Sequence, residues 1–204
     1  MQLYIHRFFK KNLGLNDEEA HELHLKYYRE YGLAIEGLVR LNKINALEYN
    51  KVVDDALPLD EILVPNPNLR LMLQRLKKSG KVDRLWLFTN AYKNHALRVI
   101  RLLGLGDLFD GITFCDYAHF PLTCKPMKGS FDLALKQAGV SDPNNAVFVD
   151  DSGLNVKAAK NFGWGKVIQY IELEEDIHNL KNDDEDIVVI RDILDIEKVC
   201  PELF

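Results

Sequence analysis

Ala146-Val147-Phe148-Val149-Asp150-Asp151-Ser152 is a short apolar run that ends in two acids and a serine. An apolar run of this length predicts a buried strand of a parallel sheet. Leu85-Trp86-Leu87-Phe88 has the same form and is followed by Thr89-Asn90. Further strand-like segments alternate with helical patterns that end at glycine; these segments are 111–115, 166–170 and 187–190. This alternation predicts a right-handed, doubly wound α/β sheet.

The first 63 residues differ from the rest of the chain, because their apolar residues recur at helical spacing. Asn16 is followed by three acids, which predicts a helix that begins there and runs to Gly32. The prolines at 65 and 67 mark the change to alternating helices and strands. We therefore predict an α-helical domain at 1–63 and an α/β core at 64–204.

Two finer features of the helical part are also predicted from the pattern. Leu3, Ile5, Phe8 and Phe9 fall roughly on one side of an amphipathic first helix. Gly32 and Gly37 are expected to punctuate the stretch before the next helix, which Asn45 begins.

Composition excludes several classes of protein. The chain has 204 residues and a formal net charge of −5, so it has no overall basic field for nucleic acid or an anionic membrane. Three cysteines without metal-ligand spacing favour a reducing compartment, and the first residues do not form a signal peptide. We expect a cytoplasmic protein that can also enter the nucleus. The acidic stretch 172–186 is expected to be a solvated surface loop.

Five side chains are predicted to meet at one edge of the sheet, because ligands bind outside the carboxyl ends of parallel strands. Thr89 and Asn90 can bind phosphoryl oxygens, and Lys125 can offset their charge. Asp150 and Asp151 are hard oxygen ligands suited to Mg²⁺. Each has a plainer interpretation as a helix cap, a solvated lysine or a capped turn. Their order along the chain favours a phosphate site.

That order resembles motifs two, three and four of the haloacid dehalogenase (HAD) superfamily. Segments 85–96, 108–113, 30–34 and 53–59 are similar to the fungal and plant pyrimidine 5′-nucleotidases, a group that includes yeast nucleotidases related to the suppressor of disruption of TFIIS. The resemblance implies a Mg²⁺-dependent phosphatase that acts on UMP and CMP through a phosphoaspartate. It gives Thr89 and Lys125 the catalytic roles of binding the phosphoryl group and steadying the intermediate. It makes Asp150 and Asp151 the metal ligands. It also implies that the helical residues 1–63 are a cap domain, truncated at its N-terminus, that closes over the active site.

Motif one of the HAD superfamily is a strand that ends in Asp-x-Asp and supplies the nucleophile. This motif does not occur in the sequence. Asp54-Asp55 lies in a helical stretch, and the acids at 183–186 lie in a charged run, so neither replaces it. The resemblance places the missing strand centrally, between the strands that end at Thr89 and Asp150. We therefore expect a fragment or mis-started chain with residues missing upstream.

Three interpretations of the function stay open. The chain is a phosphatase of UMP and CMP in its full-length form, a non-catalytic protein that binds nucleotides or phosphate, or a phosphatase of another phosphomonoester such as lysophosphatidic acid or a sugar phosphate. Tyr27, Tyr28 and Tyr31 are candidates for stacking on a base, although packing is the more common fate of aromatic residues in helices.

Overall fold

The computed structural model describes residues 2–172 and 186–204, so the predicted loop at 172–186 lies largely outside the described residues. The first part is helical, as its pattern predicts. It consists of α1 (Gln2–Leu13), α2 (Asp17–Tyr31), α3 (Ala34–Asn42), α4 (Ala46–Val52) and α5 (Leu59–Ile62). Asn16 begins α2 with a capping box, in which its side chain and that of Glu19 each accept from the other's backbone N–H.

Helices and strands alternate after Pro67, which confirms the predicted α/β class. The elements are α6 (Pro67–Lys78), β1 (Trp86–Thr89), α7 (Lys93–Leu102), β2 (Gly111–Phe114), α8 (Lys128–Ala138), β3 (Val147–Asp150), α9 (Gly153–Asn161), β4 (Lys166–Tyr170), β5 (Ile187–Ile190) and α10 (Ile196–Val199). None of the described helices is both long enough and apolar enough to span a bilayer.

The described strands form two parallel sheets instead of one. β1 pairs with β2, and Trp86 lies opposite Gly111. The second sheet has the order β3-β4-β5, with Val147 opposite Lys166 and Val167 opposite Ile187. The strands that end in Thr89 and Asp150 are therefore not neighbours in one hydrogen-bonded sheet. A central strand between them, which the resemblance implies, is compatible with this topology and stays a prediction.

The burial of the strands differs from the prediction for fully buried runs. All four residues of β1 are only half-buried, and Val147 in β3 exposes 39% of its surface. β1 pairs on one side only, which removes the cover that a second neighbouring strand provides. β4 has neighbours on both sides, and its central residues Val167, Ile168 and Gln169 are buried.

Two details predicted for the helical part are wrong. Leu3 does not share the buried side of α1: it is 57% exposed, whereas Ile5, Phe8 and Phe9 are buried. Gly37 does not interrupt the chain but lies inside α3. A Cβ atom at Gly37 would be 2.3 Å from the ring of Tyr27, so glycine allows α2 and α3 to approach closely.

The helical residues share a continuous core with the loop that follows β2. This core contains buried residues of α1 to α4 together with Cys115, Tyr117, Leu122 and Cys124. Cys124 directly precedes Lys125, so packing against the helices fixes the backbone of a predicted site residue. The division into a cap domain and a core stays a prediction, because this packing joins the two parts.

Candidate phosphate site

A buried ion pair joins the carboxyl ends of β1 and β3. The Nζ atom of Lys125 lies 2.5 Å from Oδ2 of Asp150, and both side chains are only 6% exposed. The same ammonium group donates to the carbonyl oxygen of Phe88 at 2.8 Å. It also lies over the rings of Phe88 and Phe148, at 4.8 and 5.5 Å from their centroids. Lys125 therefore links two strands that no backbone ladder connects.

The backbone of Lys125 is held by the side chain of Asn90. Nδ2 of Asn90 donates to the carbonyl oxygen of Lys125 at 2.9 Å, and Oδ1 accepts from its N–H at 2.7 Å. The hydroxyl of Tyr117 donates to the carbonyl oxygen of Asn90 at 3.1 Å. The sequence predicts Asn90 as a phosphate-binding residue, whereas its contacts in this structure orient Lys125. Its binding of phosphate stays a prediction.

One carboxylate oxygen of Asp150 accepts from two donors at the start of α9. Its Oδ1 atom accepts from the backbone N–H of Ser152 and from Nδ2 of Asn155, each at 2.9 Å. Asn155 is buried, and its own Oδ1 atom has no hydrogen-bond partner within the described residues. The sequence pattern does not single out Asn155 as a site residue. The one sequence feature that could have indicated its role is its position five residues after the acid that ends β3. A single asparagine at such a position is too common to predict a site residue.

Asp151 presents a second carboxylate next to the first. It is exposed, yet desolvation and then the charge of Asp150 raise its pKa above the ordinary value. A cation would relieve this repulsion between adjacent carboxylates. Two carboxylates also suit Mg²⁺, which takes one or two such ligands and completes its shell with water and phosphate oxygens. Among residues 2–172 and 186–204, no three His, Cys, Asp or Glu side chains form a complete metal cage.

Thr89 lies at the end of β1, directly before Asn90. Its Oγ1 atom accepts from the backbone N–H of Ala91 at 3.0 Å, as in the plainer turn interpretation. The hydroxyl hydrogen remains available to a phosphoryl oxygen. The structure thus brings Asn90, Lys125 and Asp150 into direct contact and places Thr89 and Asp151 beside them in the chain. Their catalytic and metal-binding roles stay predictions.

The three candidate stacking tyrosines of α2 have different surroundings. Tyr27 is buried, and its hydroxyl donates to Oδ1 of Asn42 at 2.7 Å. Tyr31 is half-buried beneath the guanidinium of Arg40, which lies 5.5 Å from its ring centroid. Tyr28 is 41% exposed, and its hydroxyl donates to Oγ of Ser152 at 3.2 Å.

The chain is an α/β protein with a charged site at the edge of its sheets. That site is the buried lysine–carboxylate pair at the carboxyl ends of the parallel strands. A family model described as haloacid dehalogenase-like hydrolase matches residues 4–163. The chain belongs to this hydrolase family, and the match covers the helical residues as well as Lys125 and Asp150.

Relatives with curated descriptions agree with this family. The chain is 44% identical over 207 residues to "Phosphate metabolism protein 8" of Saccharomyces cerevisiae, covering 96% of this chain and 64% of the yeast protein. It therefore spans less than two thirds of that relative. It is also 31% identical over 104 residues to "Pyrophosphatase PpaX" of Bacillus velezensis, covering 51% of this chain and 45% of that protein.

Solved structures confirm the HAD-like fold. A HAD phosphatase from Thermococcus onnurineus aligns with a TM-score of 0.57 at 22% identity, covering 96% of this chain and 86% of that one. A putative β-phosphoglucomutase from Thermotoga maritima also gives 0.57, at 20% identity, covering 96% and 82%. At these identities the likeness concerns the fold alone.

Proposed function

We propose that this chain provides the phosphate- and magnesium-binding part of a phosphatase that removes the 5′-phosphate from UMP and CMP. The observation that carries the proposal is the Lys125–Asp150 pair, buried at the carboxyl ends of two parallel strands. A buried cation held by a carboxylate and a carbonyl is fixed in position before an anion arrives, which is the form of electrostatic stabilisation that enzymes use. Family membership supports hydrolysis, and the resemblance to pyrimidine nucleotidases supplies the substrates.

The chemistry assigned to each residue follows from its contacts. Lys125 would offset the charge of the transferred phosphoryl group, and Thr89 would donate its hydroxyl hydrogen to a phosphoryl oxygen. Asn90 keeps Lys125 in place through its backbone. Asp150 and Asp151 would hold Mg²⁺, which supplies positive charge against the phosphate.

The nucleophile is proposed to be an aspartate on a further strand between β1 and β3. These two strands lie on either side of Lys125 without pairing with each other. A strand inserted there would pair with both and bring its carboxyl end to the same edge. The first aspartate of an Asp-x-Asp sequence at that end would attack phosphorus and form the phosphoaspartate, while the bond from phosphorus to the 5′-oxygen breaks and the second aspartate protonates the leaving nucleoside. Water would then hydrolyse the phosphoaspartate and release phosphate.

Phosphate release from UMP in the presence of Mg²⁺ tests this function. We expect the 204-residue chain to bind UMP without turnover, and a longer chain that includes an upstream Asp-x-Asp segment to hydrolyse it. Lys125→Met in the longer chain should abolish turnover. Hydrolysis of UMP by the 204-residue chain would contradict the assignment of the nucleophile. A longer chain that hydrolyses lysophosphatidic acid or sugar phosphates but not UMP and CMP would replace the proposed substrate. Binding without turnover in the longer chain would favour a non-catalytic role.

A further inference from the structure

The C-terminal half of α2 contacts the candidate site at two points. Tyr28 donates to Ser152, whose backbone N–H in turn donates to Asp150. Gly32, the left-handed residue that ends α2, donates its backbone N–H to the carbonyl oxygen of Tyr28 at 2.8 Å. A Cβ atom there would be 2.7 Å from the carbonyl oxygen of Lys125 and 2.2 Å from Cδ of Pro126. The C-terminal end of α2 thus contacts both loops that carry the ion pair.

Among the tyrosines of this helix, Tyr28 is the one that is exposed and bonded to one of these loops. Tyr27 packs in the helical core, and Tyr31 lies beneath Arg40. Tyr28 is 41% exposed although its hydroxyl is held at the acidic loop. A single exposed aromatic side chain is ordinary. The position of Tyr28 is less ordinary. Its hydroxyl bonds to a residue 124 positions away in the sequence, beside a buried charge pair, and this placement suggests a role at the site.

We propose that Tyr28 is a specificity-determining residue that lies against the part of the substrate beyond its phosphate and selects phosphomonoesters carrying a planar ring. This inference rests on the proposed function, because it places the phosphate at Lys125 and Asp150. The hydrogen bond to Ser152 restricts the ring before the ligand arrives, so that less side-chain freedom is lost on binding. A base stacked on an aromatic side chain gains affinity, whereas a ligand without a ring gains little from the same surface.

Binding of UMP and of ribose 5-phosphate, measured by calorimetry with Mg²⁺, tests the role of Tyr28 without any need for turnover. The two ligands share the phosphate and the pentose, so their ratio of dissociation constants reports the contribution of the base. We expect Tyr28→Ala to weaken UMP binding at least 5-fold and to leave ribose 5-phosphate within 2-fold. Tyr28→Phe should keep most of the preference for UMP, because it retains the ring.

Tyr27→Phe is the matched control, since it removes a hydroxyl from the adjacent residue of the same helix. Its preference for UMP should equal that of the wild type. If wild-type protein binds both ligands and Tyr28→Ala leaves the ratio unchanged, or weakens both equally, the role of Tyr28 is refuted while the phosphate site stands. If wild-type protein binds neither ligand, the proposed function fails, and the role of Tyr28 fails with it.

Discussion

The variant Lys125→Met tests how much the buried ion pair contributes to the free energy of unfolding. The two charged atoms are 2.5 Å apart, and each side chain is 6% exposed, so solvent screens the pair weakly. The substitution leaves the Asp150 carboxylate buried with only the neutral donors Ser152 and Asn155, and leaves the carbonyl of Phe88 without its ammonium partner. Removing one member of a buried pair typically costs about 3–5 kcal/mol of unfolding free energy. This is a large fraction of the roughly 5–15 kcal/mol that stabilises most domains.

Denaturation by guanidinium chloride at pH 7 measures the effect, and the chain supplies a matched control. Lys128 and Asp132 form an ion pair of similar length, 2.6 Å, but their side chains are 65% and 56% exposed. Lys128→Met should therefore cost less than about 1 kcal/mol. The double variant Lys125→Met/Asp150→Asn removes both charges, so it should recover part of the loss. Equal costs for the two lysine variants, or strictly additive effects in the double variant, would refute the argument from burial.

Two further predictions concern the helical part. Burial, and then the charge of Asp55, raise the pKa of Asp54 from 3.8 to about 6. A raised carboxyl pKa means that stability is highest below about pH 4 and falls as the pH rises through 6. Asp54→Asn should therefore gain about 2–3 kcal/mol over the wild type between pH 4 and pH 8 in urea denaturation, and an unchanged pH profile would contradict this. Gly37→Ala places a Cβ atom against the buried ring of Tyr27 and should lower stability by about 1–3 kcal/mol. Gly129→Ala, where the nearest atom is 3.7 Å away, is the control and should not destabilise the protein in thermal unfolding.

The elements of the fold follow from local patterns in the sequence. β4 and β5 have the predicted ends at Lys166, Tyr170, Ile187 and Ile190. Apolar runs between glycine-terminated helices suffice there, because strand propensity and burial favour the same structure. Gly37 shows the limit of this approach. A glycine alone predicts a break, and only the ring of Tyr27, packed from another helix, explains why it continues a helix.

The sequence was sufficient to predict which residues form the candidate site, but not which contacts they make with one another. The rule that parallel strands end at one edge was enough to bring Lys125 and Asp150 together. Nothing local in the sequence indicates that Asn90 would use its amide on the backbone of a residue 35 positions later. The hydrogen bond from Tyr28 to Ser152 likewise depends on the packing of α2, which periodicity does not determine.

The separation of the strands into two sheets has a consequence for hydrogen exchange. A strand paired on one side directs alternate amide N–H groups toward its partner and the others away from it. Among the described strands, none pairs with the outward-facing amides of β1 and β3. They should exchange with solvent deuterium much faster than those of β4, which is paired on both sides. A strand that filled this space would slow exchange at alternate residues of β1 and β3 and leave the rest unchanged, giving a residue-by-residue record of its insertion.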